Sequence, residues 1–312
     1  MIRVAGDTVP VKGHFIFIAA LGLAVIGGCV SPEARIGHVV QRINAADLAP
    51  ADMKDLLQES AFSLRDHHVS PEALKAYSDE TISRLFEATR RVAFYLPESK
   101  RCLSMQERVL EEKIRRHIHT KDDLEDMFKT YLEARLFTEA GTLKKRFPDA
   151  KFPTGPDTIV YGSTSTEVGW RAFSISEGGR RAELQVLKLG EGPKIVLVML
   201  PGCPVAEKAM TQIMEDSTLV EAFREHGFIV TLRMDSFGVA MWKSHFGFDK
   251  VYIVNQAADF PGFNLYASPT FYFLRDGRIL DHFIGWGRKD RPDEGKAQMK
   301  KWLEVFKAPM KG

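Results

Sequence analysis

Ile195-Val196-Leu197-Val198-Met199-Leu200-Pro201-Gly202-Cys203-Pro204-Val205-Ala206 is the stretch on which the fold turns. Six apolar residues without alternation read as a strand covered on both faces, the centre of a sheet. Pro201-Gly202 breaks that run, and Pro204 suits the first position of a helix, where a backbone N–H has no partner anyway. The helix is expected to run to about His226, and Phe228 to Met234 follows as the next strand. The result is a strand–helix–strand unit with a thiol at its turn. A thiol there faces unpaired N–H groups and the positive end of the helix dipole, both of which favour thiolate. Cys203 is therefore the candidate catalytic residue, its alternative being a buried structural cysteine.

Upstream of this unit, Lys151-Phe152-Pro153-Thr154-Gly155-Pro156 joins two prolines to a glycine, as connectors do, and sets a domain boundary near residue 152. Short β-rich runs follow at Thr158 to Tyr161, Trp170 to Ile175 and Ala182 to Leu189, with Gly178-Gly179 turning between the last two. Downstream, Val251 to Val254 gives another strand, Ser268-Pro269-Thr270 leads into Phe271-Tyr272-Phe273-Leu274, and Asp276-Gly277 turns the chain into Ile279 to Ile284. A helix is expected from about Glu294 to Phe306.

This order of parts resembles the thioredoxin superfamily, especially periplasmic TlpA-like thiol-disulfide proteins with extra N-terminal strands and a helix–strand insertion. The resemblance covers residues 165 to 307 and implies a thioredoxin-like α/β domain with a mixed central sheet. It also implies that Pro269 is a cis proline beside Cys203, with Gly202, Pro204, Ser268 and Pro269 forming the substrate-binding surround and Gly285 following the last strand. The family's second cysteine is here Ala206, its tryptophan before the first cysteine is Gly202, and its buried upstream acid is Leu197. A dithiol enzyme uses the second thiol to expel a mixed disulfide and the acid to move its proton, so ordinary dithiol reduction is not implied. Two functions remain. One is monothiol exchange through Cys203, with an external thiol or Cys102 resolving the mixed disulfide; the other is a catalytically inactive binding or scaffold module. A peroxiredoxin-like peroxidase would want Thr or Ser where Leu200 stands.

From Ser31 to about Ala150 the sequence is charged, poor in glycine and punctuated by helix starts, which predicts a bundle of five or six helices. Ser70-Pro71-Glu72, Ser78-Asp79-Glu80 and Thr120-Lys121-Asp122-Asp123 open helices with caps and acids. Ile82, Leu85, Phe86, Thr89 and Val92 make one stripe, and Leu124, Met127, Phe128, Tyr131 and Leu132 another. Tyr131 to Pro148 resembles part of a tetratricopeptide helix pair, with no convincing second copy. His67, His68, His117 and His119 read as solvated polar residues, since residues two apart on a helix do not share a face.

At the N-terminus, Arg3 and Lys12 precede the uncharged apolar run Phe15 to Ile26, the pattern of a secretory signal over residues 1–28. Twelve helical residues reach about 18 Å, short of the roughly 30 Å hydrocarbon core, so a spanning helix is the weaker alternative. Ile26-Gly27-Gly28-Cys29 resembles the lipobox of bacterial lipoproteins, which implies lipidation (palmitate-type acylation) of Cys29, the other option being an ordinary signal with an incidental cysteine. Val30, not Asp, follows, which points to the outer membrane, facing the periplasm. The domains expected are thus the signal, a helical domain over 29–152 and the α/β domain over 153–312. The 43 Lys and Arg against 41 Asp and Glu are spread along the chain, so no nucleic-acid partner is expected. The three cysteines show no CxxC or paired Cys/His spacing, so no metal is expected, and with no glycine-rich phosphate loop, HExxH or GxSxG motif no cofactor is expected. The partners expected are a membrane and a protein or protein thiol.

Overall fold

Capped amphipathic segments build the N-terminal part of the computed structural model, which describes residues 32–45, 64–162, 169–287, 290–291 and 293–307. The helices are α1 (Pro32–Ala45), α2 (Pro71–Ala76), α3 (Asp79–Tyr95), α4 (Lys100–Arg115), α5 (Lys121–Glu133) and α6 (Phe137–Arg146). The hydroxyls of Ser70, Ser78, Ser99 and Thr120 accept the N–H groups of Ala73, Thr81, Cys102 and Asp123, satisfying one otherwise orphaned donor at each start. The stripe from Ile82 to Val92 is buried throughout; in the second stripe only Tyr131 is half-buried. Helices α4 and α5 both end in a residue with left-handed backbone, His117 (φ 59) and Arg135 (φ 61). In each, the N–H of that residue and of the one after it bond back in the Schellman pattern, His117 to Ile114 and Ile118 to Lys113, Arg135 to Leu132 and Leu136 to Tyr131.

The strands are β1 (Thr158–Tyr161), β2 (Arg171–Ser176), β3 (Arg181–Val186), β4 (Pro193–Val198), β5 (Gly227–Thr231), β6 (Val251–Val254), β7 (Thr270–Arg275) and β8 (Arg278–Ile284). They form one mixed eight-stranded sheet in the order β1-β3-β2-β6-β5-β4-β7-β8. Strands β4, β5 and β6 run parallel, while β7 is antiparallel to β4, with Leu197 opposite Phe271 and Val198 opposite Thr270. Because side chains alternate along a strand, Ile195 and Leu197 face one apolar cluster and Val196 and Val198 the other, all four fully buried. The first face is covered by α7 (Pro204–Glu215), α8 (Ser217–His226), α9 (Ser236–Phe246) and α10 (Glu294–Lys307). The second is closed by Leu187, Leu189 and the loop residues Phe260 and Leu265.

Two expectations along this unit are corrected. The single helix from Pro204 to His226 is two, because Asp216 leaves the helical region (φ −94, ψ 114) and its carboxylate accepts the N–H groups of Thr218 and Leu219, capping α8. The strand expected to reach Met234 ends at Thr231, whose hydroxyl accepts the Arg233 N–H and turns the chain away.

At the connector near residue 152 helices give way to strands, and apolar packing continues across it: Phe128 packs on Phe152, and Phe137 meets Phe173 of β2 edge-on at 6.0 Å. Polar contacts then seat the helices on the edge where β5 and β6 end. Arg135 donates to the carbonyls of Leu232 (2.7 Å) and Val254 (2.6 Å), and Arg233 donates to Phe94 O while its guanidinium lies over the Phe94 ring. Glu98 accepts the Ala257 N–H at the start of the loop that leads to β7.

Candidate functional site

The thiol sits at the C-terminal end of β4, on the same sheet edge that the helices cover. Leu200-Pro201-Gly202-Cys203 is a type II turn: the Cys203 N–H donates to Leu200 O at 3.0 Å, Pro201 takes the second position, and Gly202 supplies the required positive φ of 80°. Cys203 is the N-cap of α7 with Pro204 as first helical residue, and its carbonyl accepts the Glu207 N–H. Its side chain makes no capping bond, so the sulfur is left to other partners.

The loop before β7 supplies one. The Cys203 S–H lies 3.7 Å from the Ser268 carbonyl, and the Ser268 hydroxyl accepts the Leu200 N–H at 2.9 Å, pinning this loop to the turn. The Ser268–Pro269 peptide is cis, and the Pro269 carbonyl accepts the Gly285 N–H at 2.8 Å, joining the end of β8 to the same corner. The Ser268–Pro269 loop, 65 residues on, is thus brought beside the Gly202-Cys203-Pro204 turn. Gly202, Pro204 and Val205 are exposed, Cys203 and Ser268 are half-buried, and Pro269 is buried.

Ala206 and Leu197 are both fully buried, packed into the apolar cluster beneath α7. Cys102 and Cys203 are both free thiols. Cys102 lies within the helical core at 4% exposure, and burial pushes its thiol above the ordinary range. Cys29 lies outside the described residues. The histidine pairs stand in the helical part, where the His68 ring accepts the Arg65 N–H. Among the described residues no group of His, Cys, Asp and Glu is arranged to hold a metal, and no helix is long and apolar enough to cross a membrane.

Sequence reasoning missed a charged cluster on this edge. Glu133, at the end of α5, accepts the Met234 N–H at 3.3 Å through both oxygens and stands 3.9 Å from the Arg135 guanidinium. Burial pushes the Glu133 carboxyl up and the Arg135 and Arg233 guanidinium groups down. The only signal was a set of charges beside apolar runs, which looks the same as a solvated helix end. Comparison with family models, with curated proteins and with solved structures returned no match for this chain.

Proposed function

We propose that this chain is a thioredoxin-like protein of the bacterial cell envelope that carries out monothiol exchange through Cys203, held at the membrane by lipid on Cys29. The observation that carries the reading is the sulfur at the start of α7 lying 3.7 Å from the Ser268 carbonyl, beside a proline-opened strand. The sheet order around it, with β4 between parallel β5 and antiparallel β7, supports the same reading. The chemistry is an exchange. The Cys203 thiolate attacks one sulfur of a disulfide, the new protein–substrate disulfide forms, and the other sulfur leaves as thiolate; a second external thiolate then reverses the step. With Ala206 in place of a second thiol and Cys102 buried, no second cysteine among the described residues is placed to expel the adduct, so it persists until that external thiol arrives. An envelope compartment is where disulfide partners persist, and Val30 rather than Asp after Cys29 favours the outer membrane, facing the periplasm.

The second reading, an inactive binding module, is favoured by the close packing of Ala206 and Leu197, which leaves the sheet edge as a rigid surface. Oxidised glutathione separates the two. Exchange predicts one adduct on Cys203, located by mass spectrometry and released by added thiol, and none in Cys203→Ala. No adduct at Cys203 in the folded protein leaves the binding module standing.

A further inference from the structure

Strand β8 is the last in the sheet, and among the described residues no strand pairs with its outer side. Its inner pairing fixes which backbone groups that side offers. The Gly285 N–H donates to Pro269 O, and along an antiparallel ladder hydrogen-bonded pairs alternate with non-bonded ones. Phe283 and Asp281, opposite Phe271 and Phe273, share the phase of Gly285 and spend their backbone groups on β7. His282 and Ile284 therefore turn their N–H and C=O groups outward.

The regular part of this edge has a definite middle. Leu274 faces Ile279 and Phe273 faces Asp281, so Leu280 is left without an opposite residue, and this bulge breaks the strand on one side. On the other, Gly285 takes a left-handed backbone (φ 86) and ends it. What remains is Asp281 to Gly285, and its midpoint is Phe283.

The side chains make this stretch complementary to itself. Ile284 is 62% exposed, more than any other large apolar side chain among the described residues. Phe283 is half-buried, its ring stacked on Phe271 at 4.9 Å. A dyad through Phe283, perpendicular to the sheet, sets two copies of β8 antiparallel with His282 opposite Ile284, so that these residues exchange both backbone bonds. The two Phe283 side chains then form a non-bonded pair, the closer kind, and carry the Phe271–Phe283 stack from one copy into the other. Asp281 meets Gly285 of the second copy. A dyad on Asp281 would set like charges face to face, and one on His282 would run Ile284 into the bulge at Leu280.

We propose that this edge pairs with the same edge of a second copy of the chain, antiparallel about Phe283, so that two eight-stranded sheets become one. Paired strands this short bury less than the roughly 1,200 Å² at which stable interfaces begin, so the dimer is weak and reversible. The inference does not depend on the thiol chemistry. Successive strands lie about 4.8 Å apart, which leaves roughly 24 Å between the two copies of β4, too far for a disulfide between their Cys203 residues to hold the dimer.

Sedimentation equilibrium of the full chain from micromolar to millimolar concentration, with reductant present to exclude disulfide-linked dimers, tests this. The expected result is a reversible monomer–dimer equilibrium, weakened ten-fold or more in Ile284→Pro. That substitution removes an outward N–H and none of the bonds to β7, the place where an edge strand tolerates proline. Should it fail to fold, Ile284→Lys, which keeps the N–H and sets a charge beside His282 of the second copy, is expected to weaken the dimer likewise. A chain that stays monomeric at millimolar concentration, or a dimer undiminished in the folded variants, overturns the proposal.

Discussion

Single side chains carry much of the connection among the N-terminal helices. Glu112, 7% exposed on α4, is bound by Arg115 (2.6 Å) and Arg116 (2.6 Å), and Arg116 in turn donates to the carbonyls of Tyr77 and Leu74. The hydrogen bond from Arg115 leads the causes that hold the Glu112 carboxyl down to about 2, against an ordinary value of 4.5. A depressed carboxyl contributes stability that is full above its unfolded value and is lost as pH falls through the folded one. Acid titration followed by helical circular dichroism should therefore show a loss of stability from about pH 4.5 down to about 2, and Glu112→Gln should flatten that part of the profile. At this scale the sequence spoke unevenly. Ser70, Ser78 and Thr120 were legible as caps because a hydroxyl before a helical stripe has a local job. Glu112 and Glu133 were not, because the partners that fix them are set by how distant segments fold together.

Among the elements, the α5–α6 corner has the largest leverage. Arg135 stands in left-handed backbone where glycine is the usual residue, and its side chain, 7% exposed, reaches the ends of both β5 and β6. Removing it strands the Glu133 carboxylate and two strand-end carbonyls in a buried place. Arg135→Ala is expected to lower the unfolding free energy by about 3–5 kcal/mol, the range for breaking a buried charged pair from one side. Urea unfolding measures this, and a change within 1 kcal/mol would mean that the corner does not hold the two parts together. The elements themselves were mostly readable: β1 and β6 fall where alternation and apolar runs set them, and β4 was recognised as an interior strand. The break at Asp216 and the early end of β5 at Thr231 were missed. Each depends on one polar side chain choosing a nearby N–H over the continuing helix or strand, and periodicity is blind to that choice.

For the molecule as a whole, the parallel strands β4, β5 and β6 end on one edge, and that edge holds the thiol, the loop before β7 and the charged corner. Cys203 was legible from a strand, a Pro-Gly turn and a following helix, and the nearness of Ser268 only through the family resemblance. The central claim is that this architecture makes Cys203 a reactive thiol and Cys102 an inert one. The most direct measurement is the rate of modification of each cysteine by a small disulfide reagent, in the folded and in the urea-unfolded chain, with sites assigned by mass spectrometry. Cys203 at the start of α7 should react several-fold faster in the folded protein than in the unfolded chain, and Cys102 only on unfolding. Folded Cys203 reacting more slowly than the unfolded chain, or after Cys102, would contradict the account.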